Sequence, residues 1–519
     1  MKGGLMVCGT ASDVGKSHLV AGLCRLLARR GVSVAPFKAQ NMALNSFVTR
    51  SGHEIGRAQA AQASAAGIEP EPAMNPILLK PATDSSSEVM VMGRSAGYMN
   101  ARDYQGAKPE MLAAVLDALS DLRSRFDVVI CEGAGSPAEI NLLDNDIVNL
   151  RIAYEAGFSA VIVADIDRGG ALAALCGTVS LLPERYRALV RGFIINKFRG
   201  DPFLLDSGLV ELERRCNVGT LGVLPFVHGV SLDAEDSLAL GSATYPGLVQ
   251  LGKSEGGSVS KASVTAVKGD ADVLEVSVVR FPRMSNFTDI DPLVLEPSVN
   301  IRFVDRPSAL VGSDLIVLPG SKTTVADLAW IRSRGIEQAI TAALSPRTGT
   351  PASVLGICGG YQMLGHRIVD EIESSSGLVG ALGHLDVETV FSPTKITRQR
   401  AGSALSHSVK GYEIRHGNVR PGPDALPWIA LDDRYGTEQE GASSESGHVM
   451  GTSLHGLFEQ DEFRATFLEL VAARRGKRIL SGGFSFGAAR KAQFDFWADL
   501  IEDHLDVAAV EKLIKEPAR

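Results

Sequence analysis

Residues 5–8 form an apolar run, Leu5-Met6-Val7-Cys8, that passes directly into Gly9-Thr10-Ala11-Ser12-Asp13-Val14-Gly15-Lys16-Ser17 and then into a helical pattern over residues 17–30. No other feature restricts the fold as much. A strand, a glycine-rich turn and a helix in that order aim backbone N–H groups and a helix end at a phosphate. Gly9, Thr10, Asp13 and Gly15 are expected to form the cradle. Lys16 is expected to reach the terminal phosphates of ATP, and Ser17 to ligand Mg²⁺. The loop is one residue longer than the usual Gly-x4-Gly-Lys-Ser spacing.

The rest of the first 225 residues fits such a crevice. Short apolar runs at 32–37, 128–131, 160–164 and 192–195 alternate with helical periodicity at 109–125 and 169–182, the pattern of a parallel sheet wrapped by helices. Residues 127–135 read as a buried strand delivering Glu132 at its C-terminal end, where open α/β sheets bind ligands, so Glu132 is a second candidate for Mg²⁺. Lys38 ends another predicted strand and is expected to face the same crevice. Asn196, at a further strand end, is expected either to read the adenine edge or to shape a turn.

The stretch 241–272 is rich in Gly, Ser, Lys and Ala and reads as a linker. Beyond it a second alternating segment begins at residue 273, with apolar runs at 315–318, 354–357 and 448–454. In Val354-Leu355-Gly356-Ile357-Cys358-Gly359-Gly360-Tyr361-Gln362 a strand runs into a tight turn and a helix. That geometry holds Cys358 at an exposed corner and favours the thiolate, which is the nucleophile. The N–H of Gly359 is placed for a developing oxyanion, and the turn at Gly320, after the strand 315–318, is expected to complete the hole. His455, at the end of a later strand, is the candidate general base and acid.

The bulk numbers exclude some classes. A net charge of −8 argues against a general nucleic-acid binder. No apolar stretch approaches the roughly 20 residues of a membrane span. The N-terminus reads as a core strand, not a signal peptide. Six scattered cysteines without a Cys-x-x-Cys pair suit a reducing cytoplasm and give no zinc site; five of them look like small buried hydrophobes. The oligomeric state is not legible.

Several resemblances rest on these residues. The phosphate loop, Lys38 and Glu132-Gly133-Ala134-Gly135 resemble dethiobiotin synthetase, which activates a carboxylate with ATP. In that family a further acid after the second strand helps bind metal; here the stretch reads Gly56-Arg57-Ala58-Gln59-Ala60-Ala61-Gln62, with none. The order of Gly320 loop, Cys358 and His455 resembles class I glutamine amidotransferases. Most of these have a Glu two residues after the His, whereas position 457 is Leu. An α/β-hydrolase reading of Gly-x-Cys-x-Gly stays open and needs an acid between nucleophile and histidine.

Longer blocks, among them Phe37-Lys38-Ala39-Gln40-Asn41-Met42, Asn75-Pro76-Ile77-Leu78-Leu79-Lys80-Pro81, Asp165-Ile166-Asp167-Arg168-Gly169-Gly170 and Pro282-Arg283-Met284-Ser285-Asn286-Phe287-Thr288-Asp289, resemble the cobyric acid synthase family over nearly the whole chain. The resemblance implies two doubly wound α/β domains. Residues 1–240 would be a P-loop NTPase-like domain and 273–480 a class I glutamine amidotransferase domain with a flavodoxin-like sheet, followed by a helical extension at 481–519. It implies ATP- and glutamine-dependent amidation of carboxylates b, d, e and g of a corrinoid polycarboxylate, adenosylcobyrinic acid a,c-diamide. Lys80, Arg168 and Arg283 are candidate holders of substrate carboxylates. A rival is cobyrinic acid a,c-diamide synthase. Another is a partner-switching ATPase of the ParA/MinD type, which carries an extra lysine where this chain has Gly9-Thr10-Ala11 and has no use for Cys358 or His455.

Overall fold

The computed structural model describes residues 1–227, 271–434 and 436–518. Most of the expected linker, 241–272, lies outside these. The described residues fall into two compact units: 1–43, 53–227 and 491–518 in the first, 44–52 and 271–490 in the second.

The first unit is built on six parallel strands in the order Thr220–Pro225, Val190–Phe198, Ser159–Asp165, Gly3–Gly9, Val128–Glu132, Val34–Phe37. Gly3–Gly9, and Val128–Glu132 up to its terminal carboxylate, are apolar and buried on both faces, as a sheet covered by helices demands. Cys8 and Cys131 lie in this core and burial pushes both thiols up. Cys24 is buried on the helix Lys16–Arg29, whereas Cys176 and Cys216 are only half-buried. Gly3–Gly9 is central, with neighbours reached by crossovers in opposite directions. The loop at its C-terminal end therefore opens at the switch point of the sheet.

A four-stranded sheet beside it, Gln40–Met42, Ile77–Pro81, Ser86–Val91 and Arg94–Asn100, has no counterpart in the expectations from sequence. The next helix, Ala101–Arg125, starts eight residues before the expected 109. Asn100 caps it through Oδ1, which accepts from the N–H groups of Arg102 and Asp103, and Pro109 is absorbed inside. The expected C-terminal extension is divided. The helix Phe486–His504 sets Trp497 and Ile501 against Gly22, Arg25 pairs with Asp495 at 2.7 Å, and residues 491–518 belong to the first unit. Asp506 ends the apolar pattern and caps a separate helix, Val507–Lys515.

The second unit carries a sheet ordered Val299–Val304, Leu274–Val279, Leu315–Leu318, Ser353–Ile357, Val449–Thr452, Ala442–Ser443. All but the last strand are parallel. A long hairpin, Val387–Ala404 with His407–Pro421, is the main feature that the 3.6- and 2-residue patterns did not disclose.

Candidate active site

The phosphate loop lies where the sheet order reverses. Gly15 has φ 100°, and a Cβ there would stand 2.1 Å from Asn196 Nδ2, so conformation and space both require glycine. Gly9 closes the strand, and the N–H of Thr10 donates to Val163 O at 2.9 Å. Asp13 is exposed at φ 59°, and its carbonyl accepts from Lys197 Nζ at 2.7 Å. Lys16 Nζ donates to Ala11 O at 2.8 Å, lying across the loop. Asn196 Nδ2 donates to Val14 O at 2.7 Å and Oδ1 accepts from the N–H of Lys197 at 2.9 Å. Its amide is thus spent bracing the loop.

Glu132 is the hub of this region. It is 1% exposed, and Oε1 accepts from Ser17 Oγ at 2.8 Å and Lys38 Nζ at 2.9 Å, while Oε2 accepts from Gln62 Nε2 at 2.6 Å. Burial alone would raise its pKa. The charge of Lys38 and the three hydrogen bonds outweigh it and hold the carboxyl below its ordinary value. The sequence brings Ser17, Lys38 and Glu132 together as expected; Gln62, on the helix Arg57–Ala66, was seen only as part of a stretch without acid. Ser17 and Glu132 offer two adjoining hard oxygens, and their type fits Mg²⁺. Among the described residues no group of three or more His, Cys, Asp or Glu could hold a metal.

Beyond the loop after Glu132 lies a cavity of about 590 Å³, within the usual range for small-molecule sites. Met42, Leu79, Met99 and Tyr104 give it apolar walls, and Lys108 and Asn149 add polar groups. It reaches Gly135, whose carbonyl accepts from Lys16 Nζ at 3.4 Å, so cavity and phosphate loop share a boundary. Lys80 is committed elsewhere, in a buried ion pair with Glu54, and Arg168 is exposed beside Asp165.

In the second unit Cys358 stands between the strand Ser353–Ile357 and the short helix Gly359–Leu364 at φ 51° and ψ −107°, a strained corner for a non-glycine residue, but a buried one and not the exposed one expected. The turn closes because Gly360 lies against the neighbouring strand; a Cβ there would meet Leu318 O at 1.9 Å. Gly359 packs on Ser321 in the same way, and the Gly320–Ser321 strand pairs with Met284–Ser285. A Cβ on Gly320 would stand 3.3 Å from His455 Cε1. Cys358, Gly320, Gly359 and His455 therefore converge.

His455 is 1% exposed and its Nδ1 lies 2.7 Å from Asp289 Oδ2, whose Oδ1 accepts from the N–H of Gly456 at 2.8 Å. The usual Glu two residues after the histidine is missing, and Asp289 pairs with the ring instead. It also precedes both Cys358 and His455, so the acid that an α/β-hydrolase order requires between them is not what orients the ring. Burial would lower the imidazole, but the Asp289 carboxylate and the Cys358 sulfur outweigh it and raise His455 to about 10. Tyr412 stacks on the ring at 5.3 Å, and Asn286 Nδ2 lies 3.4 Å from Nε2. Asn286 and Asp289 sit in a buried 3₁₀ turn, Phe287–Leu295, and its N-cap. The available signal for them was a cluster of polar residues, Asn286, Thr288, Asp289 and Asp291, set among Phe287, Ile290 and Leu293.

Comparison with known proteins agrees with this layout. The CobQ/CobB/MinD/ParA nucleotide binding domain family matches residues 5–239, and the CobB/CobQ-like glutamine amidotransferase domain family matches residues 275–463. Cobyric acid synthases of Frankia casuarinae and Streptomyces avermitilis are each 48% identical, over 99% and 100% of this chain and 97% of their own length. That of Photorhabdus laumondii is 42% identical over 98% of both. A solved glutamine amidotransferase matches 38% of this chain and 98% of its own at 18% identity and TM-score 0.31, too distant to carry an argument. Among the described residues no helix is long and apolar enough to cross a membrane. By identity and coverage, the chain belongs to the cobyric acid synthase family of glutamine-dependent, amide-forming ligases.

Proposed function

We propose that the chain converts adenosylcobyrinic acid a,c-diamide to adenosylcobyric acid by amidating carboxylates b, d, e and g with ATP and glutamine. One observation carries the reading: a single polypeptide holds both a Cys358–His455–Asp289 constellation and a Lys16–Lys38–Glu132 phosphate centre.

In the second unit Cys358 attacks the glutamine side-chain amide. The N–H of Gly359 and the Gly320 loop receive the oxyanion, and His455 gives its proton to the leaving ammonia. Asp289 fixes the ring and sustains its charge, as the acid of a nucleophile–histidine–acid triad does. Water then releases glutamate from the thioester.

In the first unit the corrinoid sits in the cavity bounded by Met42, Tyr104 and Gly135, with one carboxylate turned to the phosphate loop. That carboxylate attacks the γ-phosphate of ATP, Lys16 and Lys38 neutralise charge on the transferring group, and Glu132 fixes Lys38. Ammonia then displaces phosphate from the acyl phosphate. Ser17 and Glu132 are the residues that would hold Mg²⁺, which when bound supplies further charge neutralisation at the phosphates.

Incubating the purified chain with ATP, glutamine and either cobyrinic acid or its a,c-diamide, and reading product masses, tests this. Consumption of the a,c-diamide alone, with successive losses of one mass unit as each acid becomes an amide, is the expected result. Consumption of cobyrinic acid with arrest at the a,c-diamide favours the diamide synthase instead.

A further inference from the structure

We propose that the side-chain oxygen of Gln62 is the third protein oxygen of the divalent-metal site, standing in for the acid that dethiobiotin synthetase-like chains place after their second strand. The inference rests on the reading that the first unit binds ATP with a divalent cation.

Gln62 is 1% exposed and its head group is fixed at the centre of the phosphate site, with Nε2 at 2.6 Å from Glu132 Oε2 and 3.4 Å from Ser17 O. Its other atom, Oε1, is buried and has no hydrogen-bond partner among the described residues. A buried amide oxygen left unsatisfied is destabilising, so its position beside a carboxylate and a hydroxyl calls for a ligand. Ser17 Oγ, Glu132 and Gln62 Oε1 are all hard oxygens of the kind that Mg²⁺ takes, and nucleotide phosphates and water complete such shells.

An amide in place of a carboxylate also changes the charge of the site. Among the described residues Glu132 is the one anionic group hydrogen-bonded to Ser17 and Gln62, and Lys38 already lies against it. The protein therefore attracts a bare cation weakly, and the metal enters with the nucleotide.

Two substitutions in the full-length chain separate oxygen donation from N–H donation. Gln62→Leu removes both atoms; Gln62→Glu keeps an oxygen and removes the donor to Glu132. Mn²⁺ is titrated against each protein saturated with ADP, and the free ion is read by its electron paramagnetic resonance signal. ADP affinity in EDTA and thermal denaturation are measured in parallel.

The expected result is Mn²⁺ binding weakened by at least tenfold in Gln62→Leu, against roughly 10–100-fold for lost supporting groups at metal sites. Metal-free ADP affinity should be unchanged, and Mn²⁺ binding should be retained or tightened in Gln62→Glu. Weakening in both variants would assign Gln62 to N–H donation and overturn the proposal, as would no weakening in either. Absence of Mn²⁺–ADP binding by the unsubstituted chain would instead overturn the ATP reading on which it rests.

Discussion

The two units solve one electrostatic problem with opposite signs. Each buries an ionisable group almost completely and then overrides the desolvation that would neutralise it. Glu132 is kept anionic by the ammonium of Lys38 and three hydrogen bonds. His455 is kept cationic by the carboxylate of Asp289, with the Cys358 sulfur adding to the effect. The difference lies in what can move. The phosphate site is held by a lysine charge fixed against a carboxylate, which suits positioning and neutralisation of a transferring phosphate. The thiol site is held by a proton on an imidazole, which can be delivered to a leaving group.

Substitutions can break this contrast, beginning with the largest effect. Cys358→Ala should abolish glutamine-dependent amidation while leaving amidation with added ammonium salts intact. Loss of both, in a folded protein, would mean that the two chemistries are not separable. Asp289→Asn should keep the ring in place but remove the charge that sustains its proton. Glutamate release should fall by on the order of 10²–10⁴-fold, as when a triad acid is neutralised. The alkaline limb of its pH profile should also move from about 10 towards the free-imidazole value of 6.5. Ammonia-dependent amidation should not follow.

Lys38→Met has the reverse signature. It leaves Glu132 buried without its ion-pair partner, so it should lower stability by about 3–5 kcal/mol and depress amidation from either nitrogen source. Glutaminase activity should persist where the fold survives. Tyr412→Phe removes only the hydroxyl that donates to Ser46 O at 3.1 Å, so denaturant unfolding should show a loss of about 0.5–1.5 kcal/mol. Its glutaminase pH limbs should stay in place.

Stability should carry the same signature. The folded chain holds the His455 proton more tightly than the unfolded one. The pairing therefore stabilises fully below about 6.5, and that stabilisation is lost as pH rises through about 10. The difference in melting temperature between the unsubstituted chain and Asp289→Asn should shrink across that window. A gap that widened would contradict the assignment.

What the sequence disclosed and what it withheld divide along physical lines. Lys16, Ser17, Glu132, Cys358 and His455 all sit where an apolar run ends in a turn, and local pattern marks such corners directly. Lys38 was expected at the crevice for the same reason and meets Glu132 there. Asp289 was withheld because it acts on a ring 166 residues away, through a 3₁₀ turn with no repeat to read. Gln62 was withheld because an amide among alanines on a helix carries no signal of its own until Glu132 is brought against it. The helix Ala101–Arg125 was misplaced at its start because Pro109 reads as a beginning, while the Asn100 cap that sets the true one is a single side chain.

The most direct test of the coupling between the two units follows nitrogen. The chain is supplied with glutamine labelled at its amide with ¹⁵N, ATP, the a,c-diamide and an excess of unlabelled ammonium at a pH where ammonium is protonated. The expected result is ¹⁵N in each new amide of the product, with label lost in Cys358→Ala while unlabelled amides still form. Product carrying only unlabelled nitrogen in the presence of active Cys358 would contradict it.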